Sequence, residues 1–288
     1  MVESCYFNEL SSLFSPTFMN LIIENKYKDK LLSILNRSGY IESLNLNISL
    51  EDLYENLYSF LLKHYRCEYI YKNVIANKIL LGRHSLRTAT LISELRANSS
   101  KADVVILNGT SCVYEIKTEL DSLNRLPSQL EDYKKIFDKI YVVTHEKFLG
   151  VLEENLNDDI GIICLSEKYQ LSEKRQAESN KKNTDPASIF NSLRKSEYTN
   201  IIKRKFAYIP DVPNTKIYEE CFKLFCELEP SIAHDEMVIE LKNRNKRNRN
   251  EELIKSIPHS LKYLCLDDRL VSTKTLYLQK VFAAPALY

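Results

Sequence analysis

Two short apolar runs meet at Asn108–Gly109, inside residues 93–118 (SELRANSSKADVVILNGTSCVYEIKT), and this junction narrows the folds open to the chain more than any other feature. Val104, Val105, Ile106, Val113 and Ile116 are β-branched, which favours strands, and Asn-Gly between two such runs is a hairpin signal. Side chains alternate along a strand, so Glu115 and Lys117 share one face while Tyr114 and Ile116 take the other. Asp103 at the start of the first strand, with Glu115 and Lys117 on its neighbour, makes a polar cluster beside apolar strands. Such a cluster needs a metal, a substrate or internal pairing, because burying charges without partners is costly. Cross-strand partners share a face, so Asp103 and Glu115 converge only if paired residue numbers sum to an even value. A two-residue turn at Asn108–Gly109 gives an odd sum. The cluster therefore demands an odd loop, expected at residues 107–109 with Gly109 in the left-handed region.

Length decides how much can surround this hairpin. The 288 residues, 44% apolar and 27% charged, allow a sizeable core in one large domain or two small ones. A net charge of +1 leaves any affinity for nucleic acid to local basic patches. Only 5 glycines and no tryptophan argue against a glycine-rich phosphate-loop enzyme or a propeller. The 7 cysteines are odd in number and scattered, which fits reduced thiols better than a disulfide framework. His64 and Cys67 lie three apart without a second ligand pair, so zinc is not expected. Neither a signal-peptide pattern nor a membrane-length apolar run is found, and a cytoplasmic protein without membrane contact is expected.

Residues 9–66 repeat apolar positions at helical spacing: Leu31, Leu32, Ile34 and Leu35, then Leu53, Leu57, Phe60 and Leu61. Ser49 before Glu51 and Asp52 predicts a capped helix start. A helix is expected at 68–81, strands at 88–95, 103–107 and 112–117, a helix at 124–138 with Pro127 in its first turn, and strands at 140–143 and 160–165. Residues 167–185 turn polar and read as a linker or exposed loop. Helices follow from Pro186. Lys242, Arg244, Lys246, Arg247 and Arg249 form the densest basic run, which reads as a solvated loop or a phosphate-contact patch.

Asp103 followed by Glu115-Ile116-Lys117, in the order helix, three strands, helix, strand, resembles the PD-(D/E)XK nuclease superfamily over residues 68–144. Ala102 stands where the superfamily often carries proline. The run YEIKTELDSLNRLPSQLEDYKKIFDKIYVVT is similar to a bacterial branch in which an acid, an arginine and a Gln-x-x-x-Tyr pair follow the lysine. The matching positions are Asp121, Arg125, Gln129 and Tyr133. The resemblance implies an α/β, restriction-endonuclease-like core, a mixed central sheet flanked by helices, at residues 67–168. Around it lie an N-terminal helical segment, 1–66, the linker or loop, 169–185, and a C-terminal helical segment, 186–288.

The resemblance also implies an activity: metal-dependent phosphodiester hydrolysis, with DNA ahead of RNA as the partner. Its implied catalytic residues are Asp103, Glu115 and Lys117, with a further acid from Glu68 on the preceding helix or Glu94 on the first strand. Mg²⁺ or Mn²⁺ would be held by Asp103, Glu115 and the Ile116 carbonyl. Gln129, Tyr133 and Arg125 would contact substrate. The chemistry agrees: carboxylates are hard oxygen ligands for such ions, and a bound ion lowers the pKa of its water. Two other readings stand beside it: a non-catalytic nucleic-acid-binding or interaction protein of the same fold, and a ribonuclease toxin. Residue by residue, Glu115 and Lys117 also fit a solvated strand face with a surface ion pair, and Tyr133 a core-edge aromatic.

Overall fold

Apolar residues spaced three and four apart build the first of two structural units, residues 1–86 with 247–288. The structure is a computed structural model and describes residues 2–45, 47–244, 251–266 and 281–287. In the first unit α1 (Phe7–Ser11), α2 (Pro16–Ile23), α3 (Lys28–Arg37) and α4 (Leu50–His64) lead to α5 (Glu68–Ile75). The run continues through a π-helical turn at Ala76–Leu80 into α6 (Leu81–Arg83). Ser49 caps α4 as expected, its hydroxyl accepting the Asp52 N–H at 3.0 Å. Leu50, Leu53, Tyr54, Leu57, Tyr58 and Leu61 form the buried stripe of that helix.

The second unit, residues 87–246, carries a six-stranded mixed sheet in sequential order. Its strands are β1 (Thr90–Ala97), β2 (Ser100–Leu107), β3 (Ser111–Lys117), β4 (Lys139–His145), β5 (Gly161–Leu165) and β6 (Leu171–Arg175). β1–β2 and β2–β3 are antiparallel, β3–β4 and β4–β5 parallel, and β5–β6 antiparallel. The two parallel connections carry α7 (Leu126–Lys134) and α8 (Glu146–Asn155), as parallel neighbours require. Behind them come α9 (Pro186–Ser192), α10 (Lys195–Phe206), α11 (Ile217–Cys226) and α12 (Pro230–Arg244). Val105, Leu107, Val113, Ile140, Val142 and Ile162 of the sheet share one core with Tyr133 and Phe137 near the end of α7 and with Phe190, Ile201, Phe225 and Met237 of the later helices. The protein is thus a mixed α/β fold with a helix-flanked sheet.

Two expectations change. Residues 169–185 are not a linker: β6 pairs onto β5, and beyond it the chain is tied to the β3–β4 region. There the Asp138 carboxylate accepts the Ser179 hydroxyl at 2.5 Å and the Lys181 N–H at 3.0 Å, and Asn180 Nδ2 donates to the carbonyls of Lys134 and Phe137. A polar stretch can satisfy its backbone on a sheet edge without an apolar core of its own. Second, the C-terminal helices divide between units: α9 to α12 belong with the sheet, and α13 (Glu251–Ser256) and α14 (Lys262–Leu266) with the first unit. α5 lies in the first unit too, because Asn73 donates to the His259 carbonyl and accepts the Tyr263 N–H, both at 3.0 Å. The described residues include all seven cysteines, and none of them forms a disulfide.

Candidate functional site

The β2–β3 hairpin has the parity its charges require. Leu107 pairs with Ser111 and Val104 with Tyr114, so the loop is odd, Asn108 to Thr110, one residue later than expected. Gly109 has a φ of 75°, the left-handed region in which glycine lacks the Cβ penalty. Continuing the register sets Asp103 opposite Glu115. There β2 has left the ladder, and the Asp103 side chain fills the gap by accepting the Ile116 N–H at 2.8 Å. The N–H and C=O of one strand residue point to the same side, so the Ile116 carbonyl faces this gap as well.

On the sheet face below α7 lies a closed polar network. Glu115 Oε1 accepts from Lys117 Nζ at 2.8 Å, with only 2% and 6% of their side chains exposed. Glu115 Oε2 accepts the Tyr133 hydroxyl at 2.6 Å, and that hydroxyl also lies 3.0 Å from the Lys101 carbonyl. Lys117 Nζ donates to Gln129 Oε1 at 2.9 Å. The strand holds its own position through Thr144, whose hydroxyl donates to the Lys117 carbonyl at 3.0 Å. Burial first, and then the charges of Glu115 and Asp103, push the Tyr133 hydroxyl far above the ordinary tyrosine pKa of 10.0. It is a neutral donor throughout the physiological range.

The sequence-derived site residues therefore separate into groups. Asp103, Glu115, Lys117, Gln129 and Tyr133 come together. Tyr133 is fully buried, so its hydroxyl orients Glu115 and is not presented to solvent as a substrate contact. Glu94 sits opposite Asp103 between the pairs Ser93–Val104 and Leu95–Ala102, with a φ of 54° and its carboxylate taken by Lys101. Glu68 opens α5 in the first unit and pairs with Lys72 at 2.5 Å. Arg125 is exposed just before α7. Asp121 braces the turn after β3 by accepting the Thr118 N–H and hydroxyl at 2.9 and 2.8 Å. In the basic run, Arg244 is no phosphate contact: its Nη2 lies 2.6 Å from Glu197 Oε2, and both side chains are 8% exposed. Lys246, Arg247 and Arg249 lie outside the described residues.

One positioning residue was not legible in the sequence. Asp132, beside Tyr133, accepts the hydroxyls of Ser99 and Ser100, each at 2.7 Å. Two successive α7 residues thus hold the three residues Ser99 to Lys101 that lead toward Asp103. Two serines separated from an aspartate by a whole hairpin carry no local signal of this contact.

The donor set suits a hard divalent cation. Mg²⁺ is commonly held by one or two carboxylates, with waters and substrate phosphates completing its shell. Asp103, Glu115 and the Ile116 carbonyl supply oxygen donors of that kind. Among the described residues no group of three or more histidines, cysteines, aspartates or glutamates is placed to hold a metal ion.

Residues 61–264 match the profile of the bacteriophage P4 protein cII family. One relative is Protein cII of Enterobacteria phage P4, 39% identical over 86 residues, which are 29% of this chain. The match spans 33% of that relative's length. No solved structure matches the chain. Among the described residues no helix is long and apolar enough to cross a membrane. With most of its length, including the whole sheet and the network beneath α7, inside the matched residues, the chain belongs to the bacteriophage P4 protein cII family.

Proposed function

We propose that this chain is a metal-dependent phosphodiesterase of the restriction-endonuclease-like class, a nuclease acting on DNA. The observation that carries the reading is the register that sets Asp103 opposite Glu115 across one hairpin, with the Asp103 carboxylate on the Ile116 N–H and Lys117 Nζ 2.8 Å from Glu115. A strand pair carrying a solvated surface face would leave those groups in water, whereas here Glu115 and Lys117 are buried. A bound Mg²⁺ or Mn²⁺ would supply a water of lowered pKa and offset charge on the phosphoryl oxygens. Asp103, Glu115 and the Ile116 carbonyl would hold the ion. Lys117, a compact cation, stabilises negative charge on the phosphate. Tyr133 fixes the Glu115 carboxylate through Oε2, and Gln129 steers the Lys117 ammonium. Arg125, exposed at the entrance to α7, meets the nucleic-acid backbone.

A second reading has one observation in its favour. Both Glu115 oxygens are engaged by the chain itself, which also suits a non-catalytic nucleic-acid-binding or interaction protein of the same fold. The test is to incubate the full chain with Mg²⁺ or Mn²⁺ and linear, circular and single-stranded DNA and structured RNA. Cleavage of DNA that disappears in Asp103→Asn and Glu115→Gln is expected. Full metal-dependent cleavage by either variant sinks the site assignment. Salt-sensitive binding without cleavage selects the second reading, and cleavage confined to RNA selects a ribonuclease.

A further inference from the structure

The Lys117 ammonium stands against the Glu115 oxygen that a cation would use. It lies 2.8 Å from Oε1, while Oε2 is held by Tyr133. An ammonium and a divalent cation on one carboxylate oxygen repel each other, and at this depth little water screens them. Lys117 has somewhere to go: it already donates to Gln129 Oε1 at 2.9 Å, on the first turns of α7, where the side chain is half-buried rather than sealed.

Resting on the nuclease reading, we infer that Lys117 is an internal competitor for the metal position. In the metal-free protein it neutralises Glu115. Metal binding releases it from Oε1, and only then is the ammonium available to a phosphate. The arrangement makes metal loading a precondition for phosphate engagement, and it keeps Glu115 compensated in the absence of the ion. No bond is made or broken in the exchange: one cation replaces another on Oε1, and the released ammonium keeps its proton.

The direct test needs no substitution. The full wild-type chain is treated with a lysine-modifying reagent, with and without Mn²⁺, and modification at each lysine is read by mass spectrometry. Lys117 is expected to be protected without metal and to gain reactivity with it. Two controls bracket the result: Lys174 is exposed, and Lys72 is buried and paired with Glu68. Neither should gain. The second measurement is calorimetric titration of Mn²⁺ into wild type and Lys117→Met, with folding of the variant checked by circular dichroism. Removing the competitor should tighten Mn²⁺ binding by roughly tenfold, within the usual range of coupling between two ligands of one protein. Mn²⁺ binding by wild type with no rise at Lys117 overturns the inference and leaves the nuclease reading standing. Equal or weaker binding by a folded Lys117→Met does the same. Absence of any Mn²⁺ binding that depends on Asp103 overturns both.

Discussion

At the scale of single residues, the site is a set of hydrogen bonds in which each member has a distinct cost of removal. Asp103 accepts the Ile116 N–H in the gap beside β3, so Asp103→Ala strands a backbone donor. That costs about 1–3 kcal/mol where the group is shut away from water. Asp103→Asn keeps an acceptor while removing the charge, and chemical denaturation of the two variants side by side should show the difference. Tyr133 gives a second prediction. Tyr133→Phe removes the donor from Glu115 Oε2 and from the Lys101 carbonyl in a buried site. Stability should fall by about 1–3 kcal/mol, read as a lower denaturation midpoint with an unchanged slope. An unaltered midpoint would mean that the hydroxyl does not hold Glu115.

At the scale of elements, the β4–β5 pair depends on close backbone approach. Gly161 begins β5 directly against the Tyr141 ring of β4, and a Cβ there would also come within 2.8 Å of the Ala177 N. Tyr141 is itself fixed by stacking on Tyr114, with ring centroids 5.4 Å apart. Neither the ring nor the backbone can yield cheaply, so Gly161→Ala should destabilise the sheet by about 1–3 kcal/mol. The check is a denaturation curve; a loss below a few tenths would show that the ring has room to turn. Helix α7 works differently: Asp132 and Tyr133 tie it to Ser99, Ser100 and Lys101. It is the element that couples the strand carrying Asp103 to the strand carrying Glu115.

At the scale of the whole molecule, the buried tyrosines set the alkaline limit of stability. Burial pushes Tyr40 and Tyr141 up to about 12, and it raises Tyr54, Tyr69 and Tyr133 well above the ordinary value of 10.0. In the native state these hydroxyls keep their protons above pH 10, while the unfolded chain releases them. The unfolded state then binds fewer protons, so stability falls as pH rises through and beyond about 10. Tyrosinate absorbance followed together with circular dichroism should show these groups ionising only as structure is lost. Their complete ionisation in a protein that still has its native dichroism would contradict the burial.

The sequence alone determined what depends on near neighbours. β-Branched runs around Asn108–Gly109 specify the hairpin, Ser49 the start of α4, and the charge pattern the parity of the β2–β3 loop, since alternation is a local property of a strand. It set Glu115 and Lys117 on one strand face and Gln129 and Tyr133 on one helix face, because residues two apart on a strand, or four apart on a helix, share a face. Tertiary structure decided the rest. Edge pairing turned a polar stretch into β6, because backbone groups can be satisfied by a neighbouring strand without apolar side chains. The contest between Glu68 and Glu94 was beyond any local pattern, and in the structure each is engaged by a lysine, Lys72 or Lys101. The Asp132 clasp on Ser99 and Ser100, and the capture of Glu115 by both Lys117 and Tyr133, arise where α7 crosses the sheet. Residues far apart in the chain acquire those partners only when burial brings them together and makes an unpaired charge costly.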